Sequence, residues 1–568
     1  MAGSVPVIGA SVQLYAAGSS GNGSTATALG SAITTDTNGA FSVTTTYSCP
    51  FNLSLLYLVA RGGKAGASGA TNAGTVLMTT LGTCASISGN PSFIINEATT
   101  VASAYAFAQF LAAGGNIGAS ATNFSGLTLA AGTEANFVNI STGTAPGTNF
   151  PTTGTAPSLT LNALANALNA CIVSTGASAS ACTQLYSAAA VSSSTPSNTL
   201  DAVLNIARHP AGNVTTLFTL ASASTAFTPA LAAAPSDWTM FASYTGGGMH
   251  APSGLGIDSA GNVRVGNYFN VISLFTNTGT PSIANGVLSY SAESYGLAVD
   301  QNDNSWLPNE QTTGGLNNDN GTITVVTSTG QQASGPQGFF AGGVNFPVAI
   351  AIDTGATSWV VDYGNSHVTL LSNSGASLSG TSGYASSKLA FPVAVAVDSK
   401  CYGFIGNQSS NTITRVAPDG SDFENFVTGG GASGLAVDAS DNVWVANYYD
   451  NSVGLLSSSA KVVSSGYTGG GINHPQGIAV DGAGNVWVAN YRGPSLTELA
   501  GATTSSPGSP LSPAAGFGPD ASLLEAFAIA IDAAGNVWVT NFGNNTLTEF
   551  VGLAVPVRTP LLGPVSLP

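Results

Sequence analysis

The sequence predicts a mainly β protein, a seven-bladed β-propeller preceded by a small β-sandwich and a short helical segment. Three observations carry this: one phrase recurs seven times, its chemistry sits at constant offsets, and the chain ahead of it changes period twice. The most complete copy is "HPQGIAVDGAGNVWVAN", from residue 474 to 490. Self-similarity at a fixed period decides an architecture before local propensity does.

Alignment on the acidic residue of the "VD" or "ID" pair gives Asp258, Asp300, Asp353, Asp398, Asp438, Asp481 and Asp532, spaced 42, 53, 45, 40, 43 and 51 residues apart. Nine residues after each stand Asn267, Asn309, Asp362, Asn407, Asn447, Asn490 and Asn541. Six after each stand Arg264, Trp306, Trp359, Phe404, Trp444, Trp487 and Trp538, and four before each only Gly or Ala occurs. An apolar run ending at Asp, a Gly- and Asn-bearing turn and a second apolar run make a hairpin. A third strand in phrases such as "SLTEL" and a variable fourth complete a four-stranded blade. Small residues suit a first strand that lines a crowded axis.

The segment before the first repeat, "SDWTMFASYTGGG", matches those that lead into repeats five and six, although no earlier blade exists to own it. Residues 238 to 245 are therefore expected to pair with 546 to 550 and close the ring. Ahead of the propeller, 1–93 alternates apolar and polar positions in "ASVQLYA", "GAFSVTTTY" and "LLYLVARGG", the pattern of a small antiparallel sandwich. Residues 94–234 turn helical: Leu161, Leu164, Leu168 and Ile172 share one face while Asn162, Asn166 and Asn169 share another. Leu200, Val203, Leu204 and Ala207 repeat the spacing, Pro210 stops that helix, and His209 is placed to cap its C-terminus. "NEATTVASAYAFAQFL" is a third helix. The propeller and its C-terminal tail take 235–568.

Ionisable residues make up only 6% of the chain, with ten Lys and Arg against 26 Asp and Glu. An ordinary soluble domain carries about 25%. A net charge of −16 without a basic patch argues against nucleic acid. No apolar run is long enough for a transmembrane span, and the N-terminus does not read as a signal peptide. Composition and cysteines nevertheless point to an extracellular or cell-surface setting. Cys49 is expected to pair with Cys84 and Cys171 with Cys182, leaving Cys401 as a lone thiol in the fourth repeat's turn.

The repeats resemble NHL repeats, whose "P-x-G-I-A-V-D" and "G-N-x-x-V-A-N" elements stand in residues 475 to 490. That resemblance implies the propeller fold. It leaves function open among protein binding, nucleic-acid binding, lactonase and lyase activities. Residues 1–93, through "VPVIGASVQLYAAG" and "TTDTNGAFSV", resemble carboxypeptidase-regulatory-like and transthyretin-like modules, which implies an accessory domain.

Candidate ligand-binding residues follow from the repeat. The offset-nine side chains Asn267, Asn309, Asp362, Asn407, Asn447, Asn490 and Asn541 form a polar ring if they face the funnel; the plainer reading is that each begins the next turn. His250 and His474 precede axial strands, with Glu310 and Asp362 on blades two and three, so that they supply a base or metal site, or else are loop histidines. His367 is expected to be exposed. No phosphate loop, nucleophile elbow or zinc spacing occurs. The first reading is a binding or structural protein whose partners are glycan, peptide or other copies of itself, with no cofactor. The second is a lyase or lactonase with a divalent cation at the funnel.

Overall fold

The structure is a computed structural model that describes residues 1–43, 47–87, 91–192, 194–269, 271–288, 291–312 and 320–568. It is mainly β. Four antiparallel strands near the N-terminus run in the order Thr27–Thr34, Ser11–Ala16, Leu55–Arg61, Val76–Thr83. The strand expected within "GAFSVTTTY" does not form over residues 40–43, and 44–46 lie outside the described residues. Where a second sheet of a sandwich would lie, helices α1 (Glu97–Ala106), α2 (Phe124–Phe137), α3 (Ser158–Ile172), α4 (Ser180–Ala188), α5 (Thr199–Arg208) and α6 (Val214–Ser222) follow, with α1, α2 and α5 packed against Val76–Thr83.

Local chemistry sets the helix starts. Asn96 accepts from the Thr99 N–H while the Thr99 hydroxyl accepts from the Asn96 N–H, a reciprocal cap, and Asn198 accepts from the Asp201 N–H. The polar stripe of α3 is not a solvent face. Asn162 and Asn166 donate to the carbonyls of Pro229 and Phe227, and Asn169 donates to Glu97. These amides are buried and bind an irregular segment that has no ladder partners of its own. His209 is the C-cap residue of α5, its N–H donating to the Asn205 and Ile206 carbonyls, and burial and the adjacent Arg208 lower its pKa; Arg208 itself donates to the carbonyls of Ala108 and Leu111. Cys49–Cys84 and Cys171–Cys182 are both bonded, with Cα separations of 6.4 and 4.4 Å, and Cys401 is free.

Each Asp-anchored repeat then contributes one antiparallel sheet of the propeller. Their first strands, Pro252–Ile257, Ala298–Val299, Pro347–Ile352, Pro392–Val397, Ala432–Val437, Pro475–Val480 and Ala526–Ile531, jointly line one apolar channel of about 200 Å³. The small residue four before each Asp is sterically required: a Cβ on Gly254 would sit 2.7 Å from the Gly296 carbonyl carbon, and one on Gly434 would sit 2.6 Å from the Gln476 carbonyl oxygen. Sheets two and six have three strands among the described residues.

The Asp and the aromatic residue six positions on are one device. Asp532 Oδ1 accepts the N–H groups of Ala534 and Asn536, and its Oδ2 accepts from Asn536 Nδ2 and Trp538 Nε1. Asp300, Asp353 and Asp481 hold their tryptophans in the same way. In the first repeat Arg264 replaces the indole and pairs with Asp258. In these five repeats one Asp carboxylate thus fixes the hairpin turn and anchors a large core side chain, whereas Phe404 offers no donor to Asp398 and Trp444 Nε1 meets no partner among the described residues.

The ring closes with a borrowed strand. Phe241–Tyr244 pairs antiparallel with Thr546–Phe550, Phe241 opposite Phe550 and Tyr244 opposite Leu547, and Gly154–Thr155 pairs with its outer edge. A rim bond repeats across sheet junctions: Asn411, Asn451 and Asn545, each thirteen after its Asp, accept from the N–H of Gly431, His474 and Ala251 on the next sheet. The junction between the last and first repeats uses the same bond as the interior ones. A continuous core joins the N-terminal sheet, the helices and the seventh sheet through Trp238, Met240 and Trp538.

Candidate functional site

The two ends of the channel differ. At the Asp end, residues 554–568 lie across the opening. Val557 N–H donates to the Asp532 carbonyl, Thr559 Oγ1 to the Asp258 carbonyl, Gly563 N–H to the Ile352 carbonyl and Val565 N–H to the Val437 carbonyl. The segment therefore bridges four of the seven first strands, and Val557, Leu561 and Val565 face the apolar channel.

At the other end lies a cavity of about 490 Å³, lined by Tyr295, Glu310, Tyr363, Gln408, Ser433, Tyr448, Tyr449, Gln476 and Phe527 with Val348, Val393, Gly431 and Ala432. Two offsets account for most of this wall. Five before each Asp stand Ser253, Tyr295, Val348, Val393, Ser433, Gln476 and Phe527. Ten after each stand Tyr268, Glu310, Tyr363, Gln408, Tyr448, Tyr491 and Phe542. The rings form a contiguous arc: Tyr448–Tyr491 centroids are 5.9 Å apart, Tyr491–Phe527 6.4 Å, Phe527–Phe542 5.7 Å, Phe542–Tyr268 6.0 Å and Tyr268–Tyr295 5.2 Å.

The offset-nine residues sit one position away from this wall and are buried. Asn267 accepts from the His250 N–H and donates to Val271 O and Ser273 Oγ, so it clips the entering loop to the third strand. Asn407 and Asn490 do the same with Ala390 and Asn473 on one side and Thr414 and Thr497 on the other. Asn309, Asn447 and Asn541 donate to third-strand hydroxyls or carbonyls, while their Oδ1 atoms meet no partner among the described residues. Asp362 accepts from Asn345 N–H and Thr369 Oγ1, and complete burial pushes its carboxyl up to about 8. The expected ring thus has its polar atoms inside its own sheets, because a strand alternates faces and the funnel side belongs to the next residue.

Among the histidines, His250 is exposed and stacks on Phe269 at 4.2 Å, while His474 meets Tyr448 at 4.9 Å and hydrogen-bonds Asn473 through Nδ1. His367 is half-buried, with Nδ1 donating to the Ser382 carbonyl. Glu310 is the sequence-derived candidate that lines the cavity. Burial, then the charge of Glu293, raise its carboxyl to about 7. Glu310 N–H donates to the Glu293 carbonyl, and the Glu293 N–H to the Tyr268 carbonyl. The Tyr268 and Tyr295 rings, edge-on to each other at 5.2 Å, complete this group.

The residue seven before each Asp, Ala251, Glu293, Phe346, Phe391, Gly431, His474 and Glu525, has a positive φ throughout, from 47 to 74°. Backbone strain of this kind is concentrated where the chain turns from the rim into the axial strand. Among the described residues no three His, Cys, Asp or Glu side chains gather as a metal-binding group, and no helix is long and apolar enough to cross a membrane.

No family model matches the chain, and no curated protein matches it. Solved structures that resemble it include virginiamycin B lyase from Staphylococcus aureus, at 14% identity and a TM-score of 0.43, over 55% of this chain and 98% of that one. A streptogramin B lyase structure matches at 13% identity and a TM-score of 0.42, over 54% of this chain and 97% of that one. A nidogen/laminin complex matches at 13% identity and a TM-score of 0.30, covering 45% of this chain and 90% of that one.

Proposed function

We propose that the chain is a secreted or cell-surface binding protein: a seven-bladed, NHL-like propeller that holds its ligand in the open mouth, behind an accessory N-terminal module. The observation that carries this reading is the asymmetry of the channel. One mouth is bridged by residues 554–568, and the other opens into about 490 Å³ of aromatic and polar wall. A concave, largely preformed, mostly apolar site with a few polar groups is the usual form of a ligand pocket. Two disulfides suit an oxidising exterior.

Self-association is part of the proposal, motivated by a surface of few charges. Light scattering at pH 7 and near pH 4 tests it, and a monodisperse monomer at both ends it. The rival reading, a lyase or lactonase with a divalent cation, draws on Glu310: a carboxyl near 7 in a cavity is matched to general acid–base work at neutral pH.

Binding of glycan and peptide arrays by the wild type and by Gln408→Trp tests the site. Gln408 is exposed in the wall, its side chain has no hydrogen-bond partner among the described residues, and an indole there fills the mouth. Every ligand retained by the wild type should be lost by the filled variant. Retention by both would move the site elsewhere on the molecule.

A further inference from the structure

Five aromatic rings and a carboxyl make one part of the wall of the mouth electron-rich. Tyr295, Tyr363, Tyr448, Tyr449 and Phe527 line it together with Glu310, behind which lies Glu293, and Tyr491, Phe542 and Tyr268 continue the arc of rings beside the cavity. Among the described residues no Lys or Arg lines the cavity. On the rim the chain already places a cation on this surface: the Arg492 guanidinium lies 5.7 Å over the Tyr491 ring. Ring faces attract cations within about 6 Å of their centroids, and two neighbouring carboxyls repel one another once both are ionised. The chain's net charge of −16 draws cations toward it from a distance.

Resting on the mouth as the binding site, we propose that its ligand is an organic cation, an ammonium or guanidinium head carried on an apolar stem, with the head between Glu310 and the faces of Tyr295 and Phe527. The stem lies along Val348 and Val393, and the side-chain amides of Gln408 and Gln476, which have no hydrogen-bond partner among the described residues, meet a polar group on the ligand. The groups that face Glu310 are the Glu293 carboxyl and the Tyr268 and Tyr295 hydroxyls. A cation placed there favours the ionised form of Glu310. Binding therefore releases a proton near pH 7 and strengthens from pH 6 to pH 8.

The probe is Nα-acetyl-lysine methylamide, with Nα-acetyl-norleucine methylamide as its uncharged counterpart, titrated by calorimetry into the full chain. Two buffers of different ionisation enthalpy at pH 7 read the proton release. At pH 8 the lysine compound should bind at least tenfold more tightly than the norleucine compound, and it should weaken by a similar factor at pH 6. Glu310→Gln, with unchanged near-ultraviolet dichroism as the check on folding, should bring the lysine compound down to the norleucine level and abolish the release. Equal binding of the two compounds, undiminished binding to Glu310→Gln, or no binding of the lysine compound overturns the inference. A neutral oligosaccharide that binds the wild type and not Gln408→Trp, while the lysine compound stays silent, overturns the cation and leaves the mouth as the site. Lysine-compound binding that survives in Gln408→Trp overturns both.

Discussion

The Asp end and the open end of the channel are built from the same repeats, yet they use them oppositely. At the Asp end the side chains are constant and their hydrogen-bonding capacity is consumed locally, as in the four donors on Asp532. Neighbouring turns are also tied there: Asp303 accepts from the Ser259 N–H and hydroxyl, and Asp441 does the same for Ser399. At the open end the offsets that reach the cavity carry Tyr, Glu, Gln, Ser, Val or Phe, with little bonding among polar atoms. Constancy here marks what each sheet needs in order to fold, and variation marks what the ring presents outward.

The sharpest way to break that contrast is to remove an anchor. Asp532→Ala strands two backbone N–H groups, an amide and an indole N–H in a buried turn, and should cost about 4 kcal/mol. Asp398→Ala should cost less, because Phe404 offers no indole to strand. Urea unfolding of both variants measures the difference, and equal losses would detach the tryptophan from the device.

Proton linkage distinguishes the buried side next. Burial, with Asp532 nearby, raises Glu549 from an ordinary 4.5 to about 8. Between those values the folded protein holds a proton that the unfolded chain has lost, so this contribution is full below the lower value and disappears as pH rises through the upper one. Wild-type stability should fall by roughly 4 kcal/mol from pH 5 to pH 8.5 through this group. Glu549→Gln should flatten the profile by that amount in urea titrations at the two pH values.

Asn490→Ala removes bonds to the Ser495 carbonyl, to Thr497 Oγ1 and from the Asn473 N–H, and should cost about 2 kcal/mol with only a secondary effect on the mouth. Tyr363→Ala, on the half-buried cavity wall, reverses the pattern: about 0.5 kcal/mol of stability, but a tenfold or greater loss of whatever the mouth binds. If Asn490→Ala abolished binding while Tyr363→Ala left it intact, the assignment of the two offsets would be exchanged.

Much of this contrast is legible in the residues, and its limits are physical. The offset-nine residue is visible because bonding to the third strand of its own sheet, joined in Asn267, Asp362, Asn407 and Asn490 by a bond from the entering loop, selects Asn or Asp. Its neighbour, which reaches the cavity, varies from Tyr268 to Glu310 to Gln408 and leaves no pattern to find. Strand alternation was the available signal: if position nine is buried, position ten faces the other way. The borrowed strand was legible because "SDWTMFASYTGGG" copies segments whose role elsewhere in the ring is clear. The Asn stripe of α3 is legible as one side of the helix, because spacing reports which residues share a side. It does not report that an irregular segment, with carbonyls at Phe227 and Pro229 in need of donors, will lie against that side.

The borrowed strand also governs how the ring would yield to force. Phe241–Tyr244 is held on one edge by the last repeat and on the other by Gly154–Thr155, and Trp238 is buried at its start, where its carbonyl accepts from the Tyr105 hydroxyl of α1. Tension that separates the helices from the propeller therefore loads the clasp first, and the clasp cannot slip while α1 holds Trp238. Pulling the two regions apart should give one large rupture rather than blade-by-blade unravelling, and a protease cut in the chain between Thr155 and Trp238 would leave the ring closed.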